Sequence, residues 1–307
     1  MAQHRYFKLK LVVVLVLFCG FCGIAPAGSS RKQTSTKMLR SMARAYMAFG
    51  KYEKAHVHAK RALKQARLQQ VEDGEMALCL IDMGTVCSYE GLLDQARKHF
   101  EAGVNLQEKA LSAEHPYVAH TLRMLSGVYR RQDDMEQAED VLSQAVQIML
   151  EHCDVHSKEM APFILESAKL KFAKGQLENA FTNYQAALDI YEQNYGARHL
   201  MTANVLEDMA HLCIAQKDAE KASELMSEAL TIKKRIFGRY HPSLIDSWLT
   251  MARICKYRGQ TERCEYYLVK STETASLSRN AITMARVYEQ ANQIRKAGLV
   301  ASAISVN

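Results

Sequence analysis

The sequence is poor in the residues that interrupt regular structure. It holds 14 glycines and only 4 prolines among 307 residues, too little punctuation for a turn-rich sandwich or a disordered linker protein. No single sign of charge dominates. Forty basic against 33 acidic side chains give +7, mildly basic and well short of a chain dedicated to nucleic acid. Catalytic signatures are missing too: there is no G-x-x-x-x-G-K-[ST], G-x-G-x-x-G, G-x-S-x-G or H-E-x-x-H. After residue 27 there is no C-x-x-C either, which disfavours redox chemistry. What is present is helix stock: abundant Ala, Leu, Glu, Gln and Lys, with 15 Met. Hydrophobic residues at 48% supply enough core to exclude disorder over most of the chain.

The first 27 residues read differently from the rest. Arg5, Lys8 and Lys10 stand without an acid, Leu11 to Phe18 is unbroken apolar sequence, and Ala25-Pro26-Ala27 is a small-x-small site. A basic start, a short apolar run and an A-x-A site predict a signal peptide, and so an exported chain, periplasmic or secreted. The alternative is an uncleaved anchor, because Leu11 to Ala27 reaches the short end of a spanning helix. Membrane contact is then confined to residues 1–27. Without those three basic residues the balance is 37 against 33, about +4.

Beyond that segment one unit recurs six times. Ala55, Ala96, Ala138, Ala180, Ala222 and Cys264 are spaced by 41 and then by 42 residues throughout. Seven residues further on stand Ala62, Gly103, Ala145, Ala187, Ala229 and Ser271. Twelve before the first set stand Ala43, Gly84, Ser126, Ala168, Ala210 and Ala252. Five before it are Gly50, Gly91, Asp133, Gly175, Lys217 and Gly259, mostly turn formers. Apolar residues at helical spacing flank each turn, as in Leu122-x-x-Leu125-Ser126-x-x-Tyr129 and Ala138-x-x-x-Leu142-x-x-Ala145. The small columns mark where two helices approach closely. Such a pair cannot bury its own apolar face, so neighbouring pairs must stack.

Trp248-x-x-Met251-Ala252-x-x-Cys255 followed by Cys264, Leu268 and Ser271 resembles the tetratricopeptide repeat, as does Leu80-x-x-Met83-Gly84-x-x-Cys87 followed by Ala96, Phe100 and Gly103. The unit is about 42 residues long, and the connectors carry Glu114-His115-Pro116, Gly196-Ala197-Arg198-His199 and Gly238-Arg239-Tyr240-His241-Pro242. Long units with this connector look like the kinesin-light-chain kind. The resemblance covers Thr36 to Ala275. It implies an all-α, right-handed α-solenoid of about six helix-turn-helix repeats. Residues 28–35 form a polar lead-in, and 276–307 supply a capping helix (Leu277 to Lys296) and a tail. The fourth repeat departs most: Lys171 replaces a large apolar residue and Ser157 replaces the connector histidine.

His56 and His58 point to different helix faces and cannot share a metal there. His152-Cys153-x-x-His156 has ligand-like spacing but no further group to complete a site, so no metal or other cofactor is expected. His115, His199 and His241 recur once per connector, which predicts a structural role at helix ends. The six cysteines after residue 27 are Cys79, Cys87, Cys153, Cys213, Cys255 and Cys264. Most fall at core positions; Cys255 and Cys264 flank a tight turn and could be bridged or free.

In the resembled family first helices line the concave surface. On that analogy the inward residues are Lys37, Arg40 and Arg44, then Tyr89, then His120, Arg123, Arg130 and Arg131. The later repeats add Lys169 and Phe172, then Arg253, Lys256 and Tyr257. Glu207 and Asp246 are the acids expected on that face, with Leu78, Ile81 and Leu165 as apolar contacts. A positive groove suits an acidic or extended peptide held by charge-assisted bonds to arginine. The expected function is therefore a non-catalytic protein–protein interaction scaffold with no small-molecule substrate. The second reading is an anionic polymer or nucleic acid on the same groove, disfavoured by the sparse aromatics and by export.

Overall fold

The computed structural model describes residues 30–278 and 281–304, so the signal or anchor reading of residues 1–27 lies outside the described residues, as do Gly28, Ser29 and 305–307. Thirteen helices account for nearly all of the described chain. They form six pairs: α1 (Ser30–Ala48) with α2 (Tyr52–Gln69), α3 (Asp73–Glu90) with α4 (Leu93–Ala110), and α5 (Pro116–Arg131) with α6 (Met135–Leu150). Next come α7 (Ala161–Ala173) with α8 (Leu177–Tyr195), α9 (Leu200–Ala215) with α10 (Ala219–Phe237), and α11 (Ile245–Tyr257) with α12 (Thr261–Ser278). A last helix, α13 (Ala281–Ile304), follows. Among the described residues there is no strand, and no helix is long and apolar enough to cross a membrane.

The small columns explain the pairing. Ala55, Ala96, Ala138, Ala180 and Ala222 are fully buried, as are Ala43, Ala168, Ala210 and Ala252. Where glycine takes such a place the approach is closer still. A Cβ on Gly84 would lie 2.9 Å from the ring of Phe100, so the two helices of that repeat touch through a missing methyl group. Ser126 satisfies its buried hydroxyl by donating to the Ala138 carbonyl at 2.8 Å, linking two small columns across one pair. Four residues beyond the Ala96 column, large side chains plug the second to sixth pairs: Phe100, Leu142, Tyr184, Met226 and Leu268, none more than 4% exposed; the first pair has Ala59 there. Burying each contributes roughly 1.5–3 kcal/mol.

The turns are as regular as the helices. All six residues of the turn column adopt positive φ, from 64° to 80°. In each, its own backbone N–H and the one after it cap the preceding helix, as when Gly91 and Leu92 donate to the Ser88 and Cys87 carbonyls. Glycine takes this conformation freely, and Asp133 tolerates it. Lys217, at φ 64°, holds it at a cost of order 1 kcal/mol.

The connector histidines close the opposite ends. Nδ1 of His115 accepts from the Tyr117 N–H at 3.1 Å, that of His199 from Met201 at 3.3 Å, and that of His241 from Ser243 at 3.2 Å. Each thereby satisfies one donor orphaned at a helix N-terminus. In the fourth repeat Ser157 accepts from the Met160 N–H at 3.4 Å, and α7 begins only at Ala161, 13 residues long.

From α1 to α9 the first helices of successive repeats pack on one another, whereas second helices pack on first helices, so the first-helix side is the inner arc of a right-handed solenoid. Helix α1 starts at Ser30 and absorbs the polar stretch expected to precede the repeats. Helix α12 runs to Ser278, so the cap starts at Ala281 rather than at Leu277, which lies in α12 and is exposed. Val287, Ala291 and Ile294 of the cap bury themselves against Ile245, Leu249, Ala252 and Cys255. The six cysteines among the described residues are free, so Cys255 and Cys264 are core filler rather than a bridge.

The solenoid also meets itself. A Cβ on Gly50, in the first repeat's turn, would lie 3.1 Å from Cβ of Pro242, where the sixth repeat begins. Repeats one and six can touch only if the chain comes full circle within five units.

Candidate functional site

The inner arc is where the expected groove residues stand, and most of its bases are already engaged. Arg40 and Arg44 grip one carboxylate: each Nε lies 2.7 Å from an oxygen of Asp82, in the next repeat. Arg40 and Asp82 are buried, whereas the Arg44 side chain is 55% exposed. Arg130 reaches Glu166 at 2.9 Å and Lys169 reaches Asp208 at 3.1 Å, again one repeat on. Asp82, Glu166 and Asp208 share one position of the repeat, two residues before the small residue of the first helix. They form a carboxylate column that takes a base from the preceding unit and fixes the register of neighbouring repeats.

The expectation that Glu207 and Asp246 are the acids of this face therefore needs correcting. Its net charge is smaller because each column carboxylate cancels a base beside it. Glu207 accepts from Lys233 and from Ser247, and Asp246 lies 3.6 Å from Arg286 of the cap. The column was present in the sequence as an 84-residue and then a 42-residue spacing of acids. Aligning acids as well as small residues would have found it.

The remaining bases differ in kind. Arg131 donates from Nη1 to the carbonyl and to the hydroxyl of Ser88, both at 2.8 Å, tying the third repeat to the second. Lys37 and Arg253 are exposed, and Lys256 is half-buried. Arg123 stands apart. Its guanidinium lies 5.7 Å from the Phe163 ring centre, and its buried Nε has no hydrogen-bond partner. Burial pushes its pKa down, with Glu166 pulling the other way, yet Glu166 is already bonded to Arg130. His120 leans on the same Phe163 ring at 5.2 Å, and burial and Arg123 hold it below the usual histidine range. An arginine set on an aromatic ring with a free Nε donor has the chemistry to take a carboxylate or another planar anion.

Aromatic residues mark the two sides. Tyr89, 62% exposed, stacks on Tyr52 of the preceding repeat with ring centres 5.2 Å apart. Phe172 is half-buried against the core of repeats four and five. Tyr257 is 68% exposed and lines a half-open cavity of about 280 Å³ between α9 and α11. Its other walls include His211, Ile214, Lys217, Thr250 and Arg253.

Elsewhere the chemistry is structural. His152 turns its ring to the Ile148 carbonyl at 2.9 Å and Cys153 its thiol to that of Met149 at 3.3 Å, so the His-Cys-x-x-His stretch does not converge. Among the described residues no three metal-ligating side chains come together.

Comparison with known proteins agrees with this architecture. A family model for the tetratricopeptide repeat matches residues 75–151, 162–235 and 202–276. Protein KINESIN LIGHT CHAIN-RELATED 1 of Arabidopsis thaliana is 22% identical over 271 residues, which cover 84% of this chain and 44% of the relative. The chain thus spans less than half the length of that curated relative. Among solved structures, a Rap protein complexed with competence and sporulation factor superposes with a TM-score of 0.71 at 13% identity, covering 93% of this chain and 75% of that one. NprR in complex with its cognate peptide NprX superposes at 0.68, also at 13% identity, over 97% and 84% of the two chains.

Proposed function

The chain belongs to the tetratricopeptide-repeat family, with units of the kinesin-light-chain kind, and from this premise we propose that it is an exported, non-catalytic interaction scaffold whose inner arc holds an extended, acidic peptide segment of a partner protein. The observation that carries the reading is Arg123: half-buried, set on Phe163, with a donor unsatisfied because the nearest carboxylate belongs to Arg130. A carboxylate entering from a partner would complete that guanidinium. The fold shared with NprR, solved in complex with its cognate peptide, supports a peptide as the occupant. Residues 1–27 supply the export signal in this reading.

The test is capture of partners from the native host by the tagged chain, with cross-links mapped by mass spectrometry, against Arg123→Gln. The variant should lose the cross-links to acidic segments while its circular dichroism is unchanged. Equal capture by both forms refutes the groove reading. Reversing Arg130 or Arg131 would be a poorer test, because each ties two repeats together. A labelled oligonucleotide bound with a steep salt dependence would favour the anionic-polymer reading instead. Fractionation of the tagged chain tests export.

A further inference from the structure

The joint between repeats three and four lacks the side chains that fill the joint before it. In the third repeat Tyr129 is buried against α4, and its hydroxyl donates to Glu101 at 2.9 Å. Phe100 and Leu125, both buried, belong to the same core cluster. One repeat on, the places of Tyr129, Glu101, Phe100 and Leu125 hold Lys171, Ser143, Leu142 and Ser167. A phenol, a carboxylate, a phenyl ring and a leucine have become an amine, a hydroxyl, a shorter aliphatic group and a second hydroxyl. From the second repeat on, the Ser167 column is otherwise large and buried, with Met83, Leu125, Met209 and Met251. In the Lys171 column Cys87, Cys213 and Cys255 are buried as well. Of the six repeats, only the fourth has polar side chains with no ring at both places.

The space left is a half-open cavity of about 430 Å³ between α6 and α7. Leu142, Val146 and Leu170 supply apolar walls, and Ser143, Ser167 and Lys171 line it too. Two polar groups there are already committed. Ser167 accepts from Nδ2 of Asn183 at 3.0 Å, and Glu139, which lines the same cavity, is paired with Lys174. Lys171 is half-buried, and no acid among the described residues is bonded to it. One wall is a second helix, so the cavity stands apart from the inner arc, which first helices line. Core places left polar and underfilled are where a fold departs from its own pattern, and such departures gather at functional sites.

We propose that this cavity binds a small carboxylic acid carrying one aromatic ring. The ring takes the space that Tyr129 and Phe100 fill one repeat earlier, against Leu142, Val146 and Leu170. The carboxylate pairs with Lys171, for which the chain supplies no acid of its own. The volume lies in the range of small-molecule sites, and the lining has their makeup, apolar with a few polar groups. This site is independent of the inner arc and of any peptide held there.

Fluorine NMR of para-fluorophenylacetate titrated with the full chain is the test. The line should shift and broaden saturably, and para-fluorophenethyl alcohol, which lacks the acid, should bind at least about tenfold more weakly. Unlabelled acetate, without a ring, should fail to displace the acid. Lys171→Met should bring the acid down to the level of the alcohol. Lys171→Tyr combined with Ser143→Glu rebuilds the filling of the preceding joint, so it should abolish binding of both ligands and melt at a higher temperature than the parent. Binding retained in that double variant overturns the proposal, as does a parent that leaves the fluorine line unchanged. A Lys171→Met variant that still prefers the acid overturns the role of Lys171. Arg123→Gln should bind as the parent does, and loss of the ligand there would move it to the inner arc and overturn the cavity. A tripeptide ending in phenylalanine that competes more than about tenfold better than phenylacetate overturns a free small acid as the occupant.

Discussion

Asp82 offers the sharpest test of the register column. Its two oxygens are each bonded by an Arg Nε at 2.7 Å, and its side chain is 6% exposed. The two arginines are not equivalent. Arg40 is buried, so removing Asp82 leaves a guanidinium without either water or a counter-charge, a loss of about 3–5 kcal/mol. Arg44, at 55% exposure, regains solvent and contributes no more than about 1 kcal/mol. Asp82→Ala should therefore cost several times more than Arg44→Ala in urea unfolding followed by circular dichroism. Arg40→Ala falls between, since Asp82 keeps Arg44. A double-mutant cycle over Arg40 and Asp82 should return a coupling well above that of Arg44 and Asp82. The damage should also be local: because each repeat leans chiefly on its neighbours, hydrogen exchange in Asp82→Ala should rise first in α1 and α2. If Asp82→Ala costs no more than Arg44→Ala, the column does not carry register and the reasoning fails.

Two further outcomes follow from the core. Gly84→Ala drives a methyl group to within 2.9 Å of the Phe100 ring and should cost about 1–3 kcal/mol in the same unfolding assay, with Phe100→Leu in the Gly84→Ala background restoring part of it. Burial pushes the thiols of Cys79 and Cys87 up to about 11, against an ordinary value of 9.0, so both folded and unfolded thiols are protonated below pH 9. Between about 9 and 11 the unfolded thiols ionise while the folded ones hold their protons, and stability falls as pH rises. The urea midpoint should drop over that window, and less steeply in a Cys79→Ala, Cys87→Ala double variant; equal slopes would contradict the burial of these thiols.

What the sequence discloses is whatever repeats at one position within a unit. Small residues, turn formers and connector histidines each do their work inside a single helix pair, so their columns alone locate α1 to α12. The turn column even carries its exceptions openly, since Asp133 and Lys217 stand where glycine is the rule. The inner face is harder to read, because its charges pair across units. Arg44 finds its acid 38 residues on and Arg130 finds its acid 36 on, spacings that follow no single period. A base counted by position alone looks available when its partner lies in the next repeat. Arg131 is hidden more deeply still, since one of its partners is a backbone carbonyl. That Arg123 lacks a partner at Nε depends on Arg130 having taken Glu166, which only packing decides.

The contact of Gly50 with Pro242 joins residues 192 apart in a chain whose helices otherwise pack chiefly on their neighbours. A linear array of repeats frays from its ends; here the two ends lean on each other, so the first and sixth repeats share a fate. Closing so large a loop carries an entropic cost that local stacking never meets, which makes this joint the last to form and the first to yield. Gly50 stands in a turn and Pro242 in the connector before α11, so parting the two would open the arc without unfolding any α-helix.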